Sequence, residues 1–205
     1  MIELVIKRLT VGSFAANCYL VMDDASKAGF VIDPGGEGDR IVKELSRMGM
    51  KTKAILLTHG HYDHFAGVDP VAEFTGAPVR MNRHDACWYS RIPSFFGSVP
   101  APKTPLGAYL APGDLLRAGS LSLQVIAAPG HTVGGLCFYG DGVLFSGDSL
   151  FYRSVGRCDL PGGNWEVLRR SIQENLFSLP SDTVVYCGHG ESTTIGEEKE
   201  KNPYL

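Results

Sequence analysis

The sequence predicts an α/β sandwich, two β-sheets packed face to face with helices outside, and three observations carry that prediction. Strand-like segments come in two groups, one before residue 60 and one after residue 120. A helical segment follows within or after each group, so each sheet has a helix available to cover its outer face. The 205 residues are 44% hydrophobic and 20% charged, enough to bury one generous core without staples. A single parallel sheet is the alternative that the same alternation allows.

The first group opens with ELVIKRL at 3–9, CYLVMD at 18–23 and GFVID at 29–33, each closed by a turn-forming residue, which predicts an antiparallel meander. Residues 38–49, GDRIVKELSRMG, place Ile41, Val42, Leu45 and Met48 at helical spacing and end on Gly49. The apolar run KAILLT at 53–58 reads as a buried strand. A second helix is expected from Asp69 through Phe74, then a short strand PVRM and a helical piece from Asn82 to Tyr89. Residues 92–112 hold five prolines and little periodicity, so they read as a surface excursion rather than a linker between domains. Strands resume with LSLQVIAA at 121–128, LCFYG at 136–140 and VLFSGD at 143–148. NWEVLRRSIQENLFSL then suits a helix, and TVVYCG at 183–188 a last strand. Residues 1–205 are expected to form a single domain.

A net charge of −3 gives no overall electrostatic reason to bind a phosphate backbone or an anionic membrane, so neither nucleic acid nor membrane is expected as a partner. The opening stretch MIELVIKRLT carries Glu3, Lys7 and Arg8 within its only apolar run, unlike a signal peptide, and no later segment is long enough to span a bilayer. A cytoplasmic location is expected. The five cysteines, Cys18, Cys87, Cys137, Cys158 and Cys187, are odd in number and widely spaced, with no CxxC pair, which points to reduced thiols.

Chemistry concentrates in THGHYDHFAG at 58–67, where three of the six histidines fall within six consecutive positions. In an extended chain, residues two apart point the same way, so His59 and His61 can reach one point as the chain leaves its strand. Asp63 and His64 project from the following bend and can reach a neighbouring point. Three further candidates share the context of apolar strand and glycine-rich turn: His131 in APGHTVGG, Asp148 in LFSGDSLF and His189 in YCGHGEST. Strand ends converging on one sheet edge are where α/β folds build sites, and glycines there permit close backbone approach. Any one of these histidines alone reads as an ordinary surface or core residue; five in one context read as a ligand set. His84, in NRHDACWY, lacks that context and is excluded.

Imidazole with carboxylate and no thiolate suits zinc, iron or manganese better than calcium or magnesium. Two divalent metal ions per chain, zinc foremost, fit the two points, and Asp148 is the natural bridge. Asp33 in VIDPGG, again at a strand end, can fix a ligand's tautomer from outside; as an aspartate before proline it equally suits a plain turn.

THGHYDH resembles the THxHxDH signature of the metallo-β-lactamase-fold hydrolases, and His131, Asp148 and His189 follow in that family's order. The resemblance spans Asp33 to His189. It implies an αββα sandwich of two mixed β-sheets flanked by helices, with one metal held by His59, His61 and His131, a second by Asp63, His64 and His189, and Asp148 shared. Asp63 and Asp148 are then catalytic carboxylates as well as ligands. Within the family, PGHTVGG, SGDSLF, VGRCDLPGG and GHGESTTIGEEKEKNPYL look most like the small glyoxalase II-like proteins related to hydroxyacylglutathione hydrolase. That likeness implies hydrolysis of a small-molecule thioester such as S-lactoylglutathione, by a hydroxide generated between the two metals and without a protein nucleophile. Arg157, in VGRCDL, sits where the family places a basic residue near the substrate; a solvated surface charge is its plain alternative. Sixteen residues follow His189, so the C-terminal helical domain that completes a glutathione site in full-length glyoxalase II is not expected. The fold often dimerises, so a homodimer is allowed.

The leading rival under the same resemblance is a persulfide dioxygenase, which uses one Fe(II) held by two histidines and a carboxylate, here His59, His131 and Asp148. Hydrolysis of another ester or of a lactone is a further alternative. Exported β-lactamases are disfavoured by the N-terminus, RNA-processing members by the extra domains they carry, and a non-catalytic binding protein by the completeness of the ligand set. Ser146 and Ser149 flank Asp148 outside any nucleophile elbow and are read as structural.

Overall fold

The computed structural model describes residues 4–92 and 99–205. Its first sheet has five strands in the order β1-β2-β3-β4-β5, formed by Leu4–Val11, Ala16–Asp23, Ala28–Ile32, Lys51–Leu56 and Val79–Arg80. The first three make the expected antiparallel meander, and β4 and β5 then run parallel to β3. The second sheet has the order β13-β12-β9-β8-β7-β6. Here β6 is Leu115–Ala118, β7 Leu121–Ala127, β8 Leu136–Gly140, β9 Val143–Gly147, β12 Val184–Cys187 and β13 Thr193–Thr194. Between β9 and β12 in the chain lies a small hairpin of β10, Leu150–Phe151, and β11, Ser154–Val155. Both sheets are mixed, since β9 and β12 pair in parallel while the other pairs of their sheet are antiparallel.

Four layers follow from where apolar side chains point. All eight residues of β2 are buried because alternate positions serve different cores. Tyr19 and Val21 join Phe30, Leu56, Leu123, Phe138 and Phe145 between the sheets. Cys18, Leu20 and Met22 face outward to Ile41 and Leu45 of helix α1, Gly38–Met48, and to Val68 and Val71 of α2, Val68–Thr75. Gly49 closes α1 in the left-handed region, φ 63°, and its N–H returns to Leu45 O and Ser46 O. Helix α3, Ala86–Ser90, is short and anchors Tyr89 in the same layer. On the second sheet's outer face, Cys137, Leu144 and Val185 pack on Leu168 of α4, Trp165–Ser171, and on Ile195 of α5, Ile195–Lys201. Truncating Phe145, 1% exposed between the sheets, to alanine costs about 3–5 kcal/mol. The architecture is the αββα sandwich, not a single parallel sheet.

Several details depart from the sequence reading. The expected helix at 164–179 widens after Ser171 into a π-helical turn, Ile172–Leu176. β6, the β10–β11 hairpin, β13 and α5 were not anticipated. Helix α5 buries only Ile195 and Glu198, too few for an apolar stripe, and starts on a Thr194 side chain that accepts from Glu197 N. Of the Pro-rich stretch 92–112, residues 93–98 lie outside the described residues, while Leu106 and Leu110 bridge to Val79 and Asn82 and so extend the first sheet's edge. All five cysteines are free thiols. No helix among the described residues is long and apolar enough to cross a membrane.

Candidate metal centre

Asp33 follows β3, His59 and His61 follow β4, His131 follows β7, Asp148 follows β9 and His189 follows β12. β3 and β4 are parallel, as are β9 and β12, and β7 shares a direction with β9 because both are antiparallel to β8. Five strands therefore deliver these residues to one edge of the sandwich by their carboxyl ends. Two backbone hydrogen bonds join the sheets there, Leu136 N to Thr58 O at 2.8 Å and Asn17 N to Gly188 O at 2.7 Å.

The candidate ligand atoms converge in two adjoining groups, His59 with His61 and His131 and Asp63 with His64 and His189, and a third, Asp33 with His59 and His64, lies behind and links them. In the first, His59 Nε2 and His131 Nε2 lie 3.1 Å and 2.8 Å from His61 Nδ1. In the second, His189 Nε2 lies 3.3 Å from both His64 Nε2 and Asp63 Oδ2. Asp148 stands between them. Its Oδ2 is 3.6 Å from His131 Nε2 and 3.5 Å from His189 Nε2, and its Oδ1 is 3.4 Å from His64 Nε2. Ligand atoms bound at about 2.0–2.2 Å to one tetrahedral ion stand about 3.3 Å apart, so each group has the size of one coordination sphere.

The far sides of the rings are occupied. His131 Nδ1 lies 2.7 Å from Arg157 O, which only accepts, so Nδ1 donates and Nε2 keeps its lone pair. Thr58 Oγ1 donates to Asp33 Oδ2 at 2.6 Å and thereby turns a lone pair to the Nδ1–H of His59 at 3.0 Å. His64 Nδ1–H donates to Asp33 Oδ2 at 2.9 Å. These partners fix ring orientation and direct Nε2 inward.

Charge follows the same plan. Burial, reinforced by His64 and His61, pushes His59 well below the imidazole range, and burial with His131 pushes His61 down to about 3. Both are therefore in the neutral form that can bind a metal. Burial would lower His64 too, but Asp148, Asp63 and Asp33 outweigh it and hold it well above that range. Burial works to raise Asp148, yet His64, His131 and His59 hold it far below the carboxylate range. Asp63 is lowered in the same way, with His64 and His189 overcoming burial. Asp148 Oδ1 is moreover buried, and among the described residues its polar neighbour is His64 Nε2 at 3.4 Å, an ion-pair contact rather than a well-formed hydrogen bond, so a charged oxygen is left facing the centre of the cluster. Spacing, ligand chemistry and this oxygen all fit divalent metal ions bound by nitrogen and oxygen.

The structure thus brings His59, His61, Asp63, His64, His131, Asp148 and His189 together with Asp33 behind them. Arg157 is only partly there. Its carbonyl serves His131, whereas its exposed guanidinium forms a forked pair with Asp159 through two 2.7 Å hydrogen bonds. His84 is exposed outside the cluster. Ser146 and Ser149 donate to Leu150 O and Ala128 O, as structural hydroxyls do. Sequence reasoning missed Thr58, although it is adjacent to His59. It also missed Trp88, which stacks on the His61 ring at 5.1 Å and 25°, and the buried carboxylate of Asp85.

The sequence and the architecture have close counterparts. An uncharacterized protein of Aquifex aeolicus is 40% identical over 98% of this chain and 97% of its own. Hydroxyacylglutathione hydrolase GloC of Haemophilus influenzae is 34% identical over 98% of this chain and 97% of its own. Among solved structures, the BLEG-1 B3 metallo-beta-lactamase superposes with a TM-score of 0.91 at 34% identity, over 98% of this chain and 99% of that one. TTHA1623 in a di-iron-bound form gives 0.86 at 36% identity, over 97% and 100%. ETHE1 from Myxococcus xanthus gives 0.80 at 30% identity, over 97% and 83%. The Metallo-beta-lactamase superfamily model matches residues 11–189, a span that contains Asp33 and all seven converging residues. Sharing that model, this sandwich and a His/Asp cluster suited to metal, the chain belongs to the metallo-beta-lactamase superfamily, whose members are generally metal-dependent hydrolases.

Proposed function

We propose that the chain is a two-metal hydrolase of small acyl thioesters, of the glyoxalase II-like kind. The observation that carries this reading is the pair of complete ligand groups with Asp148 between them. His59, His61 and His131 would hold one ion, Asp63, His64 and His189 the other, and Asp148 both. Two such ions would supply a water acidified to near neutral pH and a Lewis acid for the substrate's carbonyl oxygen. Zinc fits this ligand set, and the di-iron form of the 36% identical TTHA1623 supports iron equally.

The protein's own part is to orient. Arg157 O holds His131 in one tautomer, Thr58 does so for His59, and Asp33 for His64. No side-chain nucleophile is required, in keeping with Ser146 and Ser149 being tied to backbone carbonyls. Beside Arg157 a cavity of about 460 Å³ is lined by Val155, Gly156, Asp159, Trp165 and Tyr204, and we assign it to the thiol carrier. The name of the Haemophilus relative supports a glutathione thioester as substrate.

A mononuclear Fe(II) persulfide dioxygenase would need only His59, His131 and Asp148. Asp63, His64 and His189 at coordination distance favour the hydrolase. The test is protein purified without added metal and assayed in parallel for S-lactoylglutathione hydrolysis, oxygen uptake with glutathione persulfide, and β-lactam hydrolysis. Thioester hydrolysis abolished by a chelator and restored by metal is the expected result. Oxygen uptake without hydrolysis would replace it with the dioxygenase, and faster β-lactam turnover would align the chain with BLEG-1.

A further inference from the structure

We propose that Asp85 is a positioning residue dedicated to the His59, His61 and His131 group. The proposal rests on the reading that this group holds a metal. Asp85 closes a 3-10 turn, Arg83–Asp85, in the very segment whose histidine is exposed and outside the cluster. Its carboxylate is 3% exposed and accepts three hydrogen bonds. Oδ2 takes Gly60 N at 2.9 Å and Thr132 Oγ1 at 2.7 Å, while Oδ1 takes Gly134 N at 2.7 Å.

Those donors come from two loops. Gly60 lies between His59 and His61, Thr132 follows His131 directly, and Gly134 comes two residues later. One carboxylate therefore ties together the backbones that carry all three imidazoles. The approach is so close that a Cβ on Gly134 would stand 2.6 Å from Asp85 Oδ1. Three residues further on, Trp88 stacks on the His61 ring, so the same turn and helix hold both backbone and side chain of the group. None of the three bonds reaches Asp63, His64 or His189. Hydrogen bonds to a buried carboxylate are short and strong, and groups that set ligand orientation typically influence metal affinity about 10- to 100-fold.

Asp69, a half-buried carboxylate, supplies a control. It too accepts three hydrogen bonds from another stretch of chain, from Lys103 N, Thr104 N and Thr104 Oγ1 at 2.8–3.0 Å, but those partners carry no ligand. Loss of either carboxylate should loosen the fold; only loss of Asp85 should loosen the metal.

The experiment titrates metal-stripped wild type, Asp85→Ala, Thr132→Val and Asp69→Ala with Zn²⁺ against a chromophoric chelator, alongside the thermal midpoint of each metal-free protein. Wild type should bind two ions. Asp85→Ala should weaken one of them by about 10- to 100-fold, and Thr132→Val the same one by less. Asp69→Ala should lower the midpoint and leave both affinities unchanged. In a His189→Ala background, which leaves the first group as the intact one, Asp85→Ala should weaken the remaining ion. Should Asp85→Ala fail to fold, Thr132→Val carries the test. Two ions at wild-type affinity in the folded Asp85 variant, or equal weakening of both in step with the midpoint, overturns the assignment. A wild type that takes up no zinc, iron or manganese would instead overturn the two-metal reading beneath it.

Discussion

Asp33 Oδ2 accepts the Nδ1–H of His64 at 2.9 Å, and both side chains are sealed from solvent. The same oxygen accepts from Thr58 Oγ1, which in turn receives His59, so one carboxylate orients a histidine in each group. Asp33 adopts φ 49°, a left-handed conformation unusual outside glycine, which its hydrogen bonds maintain. Asp33→Ala is therefore expected to weaken both metal sites by about 10- to 100-fold, unlike Asp85→Ala. Metal titration checks this, and weakening confined to one site would contradict it.

His59→Ala and His131→Ala should each abolish hydrolysis and lower metal content, while His84→Ala changes neither. The contrast follows from two histidines inside the cluster and one on an exposed turn. Metal analysis of the three purified variants decides it, and metal loss on changing His84 would contradict the ligand assignment.

Arg157→Ala is expected to raise KM for S-lactoylglutathione more than it lowers kcat, the pattern of lost ground-state binding. The carbonyl that orients His131 survives this substitution, so kcat should be spared. Asp159 competes for the same guanidinium through its forked pair, so Asp159→Asn should lower KM for an anionic thioester. Steady-state kinetics on both variants test this. An unchanged KM in Arg157→Ala would make the arginine a surface charge.

Asp23 makes a prediction about acid stability. Hydrogen bonds from Ser26 Oγ, at 2.6 Å, and from Ser120 N, at 3.2 Å, hold its carboxyl down at about 2, against an ordinary value of 3.8. A depressed folded pKa means that the charged form stabilises the fold above about pH 4, and that this contribution fades as pH falls toward about 2. Asp23→Asn should lower stability at neutral pH and flatten the decline across that window. Urea denaturation of the metal-free proteins at several pH values checks it; parallel curves would contradict it.

Much of the candidate site could be read from sequence because the residues that converge there are local in two senses. His59, His61, Asp63 and His64 lie within six residues, and His131, Asp148 and His189 each stand at the end of an apolar strand. Parallel pairing of β3 with β4 and of β9 with β12 then collects those ends, which is why the αββα layering and the cluster were legible together. Asp85 was not legible, because its partners are backbone N–H groups and a hydroxyl 25 to 49 residues away, and no residue type marks a backbone donor. Helix α5 was hidden for another reason: it is stabilised by polar burial. Glu198 accepts from Thr193 Oγ1, Arg153 N and Asn202 Nδ2, a set that apolar periodicity does not reveal.

The most direct test of the two-metal account is His189→Ala, measured for metal content, thioester hydrolysis and persulfide-dependent oxygen uptake, with circular dichroism to establish folding. His189 Nε2 contacts both Asp63 and Asp148, yet a single-iron site built on His59, His131 and Asp148 is complete without it. The account predicts loss of about one metal ion per chain and a fall in hydrolysis of at least about a hundredfold, roughly 2.7 kcal/mol of transition-state stabilisation. Hydrolysis near the wild-type rate in the folded variant, or oxygen uptake with a persulfide that survives the substitution, would contradict it.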